Sequence, residues 1–513
     1  MYMTRAYTIA GLLFATVFSG EKVRAQPQPK EMVLTIDSRQ SFQTVEHFGA
    51  SDAWACQFVG NWPAQKKEQM ADWLFSRDTM ADGSPKGIAL SIWRFNLGAG
   101  SAQQGDSSGI KDEWRRAESL LAKDGRFDFN LQSGQQWFLQ AAKQRGVSSF
   151  LAFLNSPPVK FTSNRRAYAD SGRCNLAAGA YQSLAAYIAT ALKGLQQRNG
   201  IRFQYISPVN EPQWDWSDGG QEGNPYTNEQ IAGLVRVLNT TLNESKLPAK
   251  IVVTESGHLK YLLETADKPG RGNQVIELMQ PGGPNYIGNL SAVDKAIAGH
   301  SYFSTSTFSE SIGIRKKLKE RIASVKGSSY WQSEYCILGD NGGEINGQQR
   351  DTGMQSALYL ARVIYADLVA ANASSWQWWL AISPYNYKDG LIYIDKNKTD
   401  GSYTDSKMMW ALGNYSRFIR PGMVRVAAEL DASDSTCLVS AFRDAASRKT
   451  AIVIINSSEF PRMIHVKKKN GQSYKKADIY ITSDAGKLKH SIRPDRIVLE
   501  PRSVTTLIVS EDE

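Results

Sequence analysis

Two glutamates sit in short motifs of the same grammar: Glu211 in Ser207-Pro-Val-Asn-Glu-Pro212 and Glu334 in Trp331-Gln-Ser-Glu-Tyr335. Each follows a short apolar run, and the prolines at 208 and 212 stop the first run from continuing as a strand. A carboxyl is thereby presented at a strand end. Asn-Glu-Pro alone is a common string, and most glutamates are solvated loop residues. The pair carries more weight, because cleaving a glycosidic bond needs one carboxylic acid to protonate the leaving oxygen and one carboxylate to attack or screen the anomeric carbon. Burial and a neighbouring carboxylate raise the acid's pKa, while the partner must stay ionised. Arg94, closing Ile92-Trp93-Arg94 among bulky apolar neighbours, is a candidate for holding Glu334 charged.

Two such groups face each other only if a scaffold brings strand ends together. From His47 to about residue 390 the sequence repeats one phrase: a short apolar run, a polar or aromatic loop, then a helical stretch. Strands are expected near 47 and over 89–95, 149–154, 203–208, 251–254, 298–302, 329–332 and 375–381. Helices are expected over 177–195, 228–242 and 354–371. Eight βα units make a (β/α)8 TIM barrel, whose functional groups sit at the C-terminal ends of its strands. After Arg420-Pro421-Gly422 the helical period disappears, and strands over 437–442, 450–455, 477–481 and 503–509 follow one another. The expected fold is therefore α/β: a barrel over 46–420 with a side all-β sandwich over 421–513. A strand within 26–45 is expected to pair with that sandwich.

The N-terminus reads as a cleavable signal over residues 1–25, with Arg5, an apolar stretch over 6–18 and Val23-Arg24-Ala25. A secreted or periplasmic location follows as the expectation. No later run suits a membrane span. The formal charge of +10 comes from scattered basic residues, so a solvated face explains it better than nucleic-acid binding. Four cysteines and five histidines show no metal-like spacing, so neither metal nor cofactor is expected, and buried free thiols are the simplest reading. Several sequons, for example at Asn239, Asn289 and Asn414, matter only in a eukaryotic secretory pathway. A monomer is expected.

The motifs in this order resemble retaining (β/α)8 glycosidases, and more narrowly glycoside hydrolase family 30, over nearly the whole mature chain. The resemblance rests on Phe48-Gly-Ala-Ser-Asp52, Arg94, Asn210-Glu211-Pro212, His300-Ser-Tyr302, Glu334, the Trp-rich run at 376–379 and Phe418 to Val426. It implies Glu211 as acid/base, Glu334 as nucleophile and Asn210 as a donor to the sugar 2-hydroxyl. It further implies that Tyr302 bonds the nucleophile, that His300 lines the site, and that Asp52 and Trp54 shape a sugar subsite floored by Trp378.

The chain departs from the family in carrying Leu154-Asn155-Ser156-Pro157 where a Trp often precedes Ser-Pro, and Trp379 where an Asn often follows the last-strand Trp. Sugar contacts are thus expected to depend on Asn155, Trp214 and Trp378. The segments Pro212-Gln-Trp-Asp-Trp216, Gln221-Glu-Gly223 and Gln280-Pro-Gly-Gly283 resemble the family branch that includes endo-β-1,6-galactanases, which implies β-1,6-galactan side chains of arabinogalactan as the substrate. Xylan, glucuronoxylan and β-1,6-glucan are the alternatives within the enzyme class. A non-catalytic carbohydrate-binding barrel is the alternative outside it, and its mark would be loss of one carboxylate.

Overall fold

The computed structural model describes residues 30–510 apart from 432–433, 475 and 494–495, so the expected signal over 1–25 lies outside the described residues. Strand β1 (Lys30–Thr44) precedes eight strands: β2 (His47–Ser51), β3 (Ile92–Asn96), β4 (Ser149–Phe153), β5 (Tyr205–Ser207), β6 (Lys250–Ser256), β7 (Val293–His300), β8 (Ser329–Glu334) and β9 (Ala373–Ser383). These eight pair in parallel in chain order, and β9 pairs with both β8 and β2, which closes the barrel. Two short strands, β10 (Gly390–Ile394) and β11 (Tyr403–Asp405), extend the sheet beyond β9.

The barrel strands are buried on both faces, which is why they read as apolar runs rather than alternating ones. Side-chain alternation still decides what each residue meets. On β3, Trp93 packs outward, 4.9 Å from the ring of Phe75 and 6.2 Å from that of Phe138, on the helices Ala64–Phe75 and Ser133–Gln144. Arg94, the next residue, therefore points to the barrel interior, where it is wholly buried. The helices follow the expected order, with Tyr181–Asn199 and Asn228–Glu244 close to their predicted bounds. Thr227 and Gln230 form a reciprocal capping box that fixes the start of the second. The helix expected over 354–371 ends at Tyr365 and gives way to a π turn over Ala366–Ala370.

The remaining strands are β12 (Val424–Leu430), β13 (Cys437–Asp444), β14 (Lys449–Asn456), β15 (Arg462–Lys468), β16 (Ala477–Thr482), β17 (Lys489–Arg493), β18 (Arg496–Leu499) and β19 (Ser503–Ser510). With β1 they form the side β-sandwich domain, in the order β17-β16-β19-β14-β13-β12-β1-β15-β18. β1 lies between β12, antiparallel, and β15, parallel. Strand β14 shows how the side domain joins the barrel: Ala451, Val453 and Ile455 pack into the barrel's hydrophobic core, while Ile452 and Ile454 pack into a second, separate core with Met32, Leu34 and Ile36. Cys56, Cys174 and Cys336 are free thiols. The sequon residue Asn414 is fully buried and donates to Tyr480 and Thr506, so it is closed to glycosylation. Among the described residues no helix is long and apolar enough to cross a membrane.

Candidate active site

At the C-terminal end of the barrel a cleft of about 520 Å³ is lined by Glu211, Glu334, Asn210, Tyr302, Trp54 and Trp214, among others. Glu334 is the last residue of β8. The β7–β8 register passes from Gly299↔Gln332 to His300↔Glu334 and skips Ser333, a bulge of the kind that re-aims a side chain. Glu334 receives a hydrogen bond from Arg94 Nη1 on Oε2 at 2.9 Å and one from the Tyr302 hydroxyl on Oε1 at 3.1 Å. The Arg94 guanidinium is itself held 4.3 Å from the Phe153 ring.

Glu211 follows β5 with φ of 43°, a left-handed backbone uncommon outside glycine and costing about 1–3 kcal/mol. Its amide is bound to the Glu255 carbonyl at 2.9 Å, and its own carbonyl accepts from Trp216 Nε1 at 3.0 Å. These contacts over-determine the turn. The loop beyond is anchored at its far end by Glu222, whose buried carboxylate accepts from the amides of Ala99 and Ser101 and from the Ser101 hydroxyl. Gly223 is required here: a Cβ would lie 2.4 Å from the Trp216 ring.

Beneath the two glutamates lies a residue that sequence reasoning missed. Glu255, on β6, is wholly buried and accepts from Ser207 at 2.5 Å, Ser333 at 2.6 Å and His300 Nε2 at 3.1 Å. His300 Nδ1 lies 2.8 Å from Glu211 Oε1 and 3.6 Å from Glu334 Oε1. The signal was present in Thr254-Glu255-Ser256, an acid closing an apolar run just as Glu334 does, but the strand was expected to stop at Thr254.

The electrostatics follow from this packing. Burial opposes charge on His300, yet the field of Glu334 and the hydrogen bonds to Glu211 and Glu255 outweigh it and lift the imidazole to about 10. Burial also opposes charge on Glu255, but the His300 hydrogen bond and the fields of Arg94 and His300 hold it down at about 2. For Glu211 burial wins: its carboxyl is raised above 4.5 despite the His300 hydrogen bond and charge, with Glu334 and Glu255 adding to the rise. Glu211, His300 and Glu334 each offer a ligand atom, all within 4.8 Å of one another. An imidazolium engaged at both nitrogens has no lone pair for a metal ion, so this cluster fits proton handling better than metal binding.

The other expected site residues divide. Arg94 and His300 lie directly under the cleft and are fully buried. Trp214 stands in the wall, edge-on to Tyr261 at 5.8 Å and Phe303 at 6.1 Å. Asp52 is not in the wall: it is wholly buried, its Oδ1 accepts from the Asn96 amide at 2.8 Å, and burial lifts it to about 8. Asn155 is also buried away from the wall, with neither amide atom bonded. Trp378 is a correction. It is fully buried on the same outward face as Trp376, 6.3 Å from that ring, and donates to the Asp389 carbonyl at 2.7 Å. Trp379, which the β2–β9 register skips between Trp378 and Leu380, is the tryptophan that enters the cleft, edge-on to Trp54 at 5.4 Å.

With this geometry in place, the relatives are informative. A family model described as O-glycosyl hydrolase family 30 matches residues 31–393. An endo-β-1,6-galactanase of Hypocrea rufa is 27% identical over 442 residues, spanning 83% of this chain and 81% of the relative. A conserved exported protein from Bacteroides fragilis has a crystal structure that matches with a TM-score of 0.86 at 31% identity, covering 93% of this chain and all of that one. The catalytic domain of a family 30 xylanase C from Talaromyces cellulolyticus shares the fold, with a TM-score of 0.66 at 20% identity, covering 93% of this chain and 100% of that one.

Proposed function

The chain belongs to O-glycosyl hydrolase family 30 and is a glycosidase, and within that class we propose that it is an exported, retaining endo-β-1,6-galactanase acting on arabinogalactan side chains. The observation that carries the mechanism is that an oxygen of Glu211 and an oxygen of Glu334 lie within 4.8 Å of each other. Retaining enzymes hold their two carboxyls about 5–5.5 Å apart, whereas inverting enzymes need about 6.5–9.5 Å to admit a water.

Glu334, with both oxygens aimed by Arg94 and Tyr302, attacks the anomeric carbon. Glu211 protonates the departing glycosidic oxygen. His300 addresses Glu211 through Oε1, which leaves Oε2 as the atom that carries and delivers the proton. The resulting glycosyl ester on Glu334 is then opened by a water whose proton returns to Glu211, so configuration is kept.

The substrate reading is supported by the name of the Hypocrea rufa relative and by the loop over 212–216, whose Trp214 and Trp216 both stand in the cleft wall. Digestion of purified β-1,6-galactan, β-1,6-glucan, xylan and glucuronoxylan, with products sized over time, tests it. Early release of mixed oligomers from β-1,6-galactan alone is expected. Oligomers from xylan or β-1,6-glucan with the galactan left whole would refute the choice of substrate.

A further inference from the structure

Asp389, at the turn leading from β9 into β10, lines the same cleft as the two glutamates. The residue is 8% exposed, and its Oδ1 has no hydrogen-bond partner. Among the described residues it makes no ion pair within 4.0 Å. Its main-chain carbonyl is pinned by the Trp378 indole at 2.7 Å, which fixes the backbone of this turn, and the Ser383 side chain approaches the carboxyl. A buried acceptor left unpaired costs free energy, and folded proteins seldom keep one without a reason.

Its surroundings suggest the reason. Trp54 Nε1 and Asn210 Oδ1 are likewise buried, unpaired and on the cleft wall. The Trp54 and Trp379 rings meet edge to face at 5.4 Å, and Arg115 is held over Trp54 at 5.6 Å and over Tyr385 at 5.0 Å. Flat apolar rings beside fixed donors and acceptors complement a pyranose, which has C–H faces and a rim of hydroxyls. None of the four glutamate and histidine side chains at the reaction centre bonds Asp389, so it is free of the proton-handling network.

We propose that Asp389 is a specificity-determining residue that accepts a hydrogen bond from one hydroxyl of a neutral sugar packed against Trp54 and Trp379. The proposal rests on the glycosidase reading of this cleft and on no particular linkage. Hydrogen bonds to charged groups are among the stronger ones, and a site built around one penalises a ligand lacking that hydroxyl.

The test is kcat/KM of the wild type and of Asp389→Asn on β-1,6-galactotriose, β-1,6-glucotriose and β-1,4-xylotriose, and on monodeoxy derivatives of whichever trisaccharide the wild type cleaves. Asp389→Asn is expected to lose about 10–100-fold on the parent sugar. One monodeoxy sugar is expected to lose a similar factor with the wild type and almost nothing with the variant. A purely structural role would lower all rates together and leave the deoxy ratios unchanged, which would overturn the proposal. Should the variant fail to fold, a wild type indifferent to the removal of every hydroxyl would overturn it just as well. Cleavage of glucotriose or xylotriose in place of galactotriose contradicts the galactan reading alone, and the deoxy series on that sugar then decides for Asp389. Cleavage of none of the three contradicts both.

Discussion

His300 Nδ1 lies 2.8 Å from Glu211 Oε1, and that short contact ties the candidate acid to a buried chain running through the imidazole to Glu255. An imidazolium between the Glu211 carboxyl and the Glu255 carboxylate, with Glu334 at 3.6 Å, sets the charge of the whole centre. It hydrogen-bonds Glu211 from below while the cleft opens above.

The first consequence concerns stability. A carboxyl depressed on folding contributes stability above its unfolded value and loses it as pH falls toward its folded value. Glu255 is held at about 2 against 4.5, so it contributes roughly 3 kcal/mol at neutral pH, lost between about pH 5 and pH 2. His300, raised to about 10 from 6.5, contributes below its unfolded value and loses that contribution as pH climbs through 10. The two overlap in the His300–Glu255 hydrogen bond, while Glu334 contributes most to the His300 rise and Arg94 also depresses Glu255. Glu255→Gln is expected to lower Tm at pH 7 and to flatten the Tm profile at both ends, as read by calorimetry. Parallel profiles for the two proteins would contradict this.

The second concerns the acid. Because the Glu211 carboxyl is raised above 4.5, kcat/KM is expected to fall as pH rises through that raised value, when the proton is lost. On an aryl glycoside whose leaving group needs no protonation, Glu211→Gln should keep the first step fast and lose the alkaline limb. An unchanged alkaline limb in the variant would remove Glu211 from the acid's role.

The nucleophile gives a third prediction. Glu334→Gln preserves shape and is expected to lower kcat by about 10⁴-fold or more. Binding of β-1,6-galactotriose, measured by calorimetry, should survive. Near-normal turnover would dismiss the assignment.

A fourth separates two adjacent tryptophans. Trp378 is core, so Trp378→Ala is expected to cost about 3–5 kcal/mol of stability in urea unfolding. Trp379 faces the cleft, so Trp379→Ala should chiefly raise KM. The reverse pattern would mean that the alternation along β9 is misassigned.

The barrel was legible because parallel strands buried on both faces leave apolar runs at regular intervals, and β1 was legible by its alternation. Glu211 and Glu334 could be found because each follows such a run and the two together supply the pair of carboxyls that the chemistry needs. Glu255 was missed because its strand was expected to stop at Thr254, whereas β6 runs on to Ser256 and buries it; Asp389 gave no signal, because an acid after a strand reads like any solvated turn, and only the convergence of distant segments buries it. Trp378 was misjudged for a related reason. Alternation says that neighbouring tryptophans face opposite ways, but which of them faces the helices depends on β9 pairing Trp376 with Phe48 and Trp378 with Ala50. Tyr302, expected as the end of its strand, instead lies beyond β7, which stops at His300.

The central claim is double displacement between Glu211 and Glu334, and the anomeric configuration of the first product tests it most directly. Proton NMR during early digestion of β-1,6-galactan is expected to show the β-anomer of the newly formed reducing end first, with the α-anomer growing in only as mutarotation proceeds. Initial appearance of the α-anomer would mean inversion by a water, and would contradict the account.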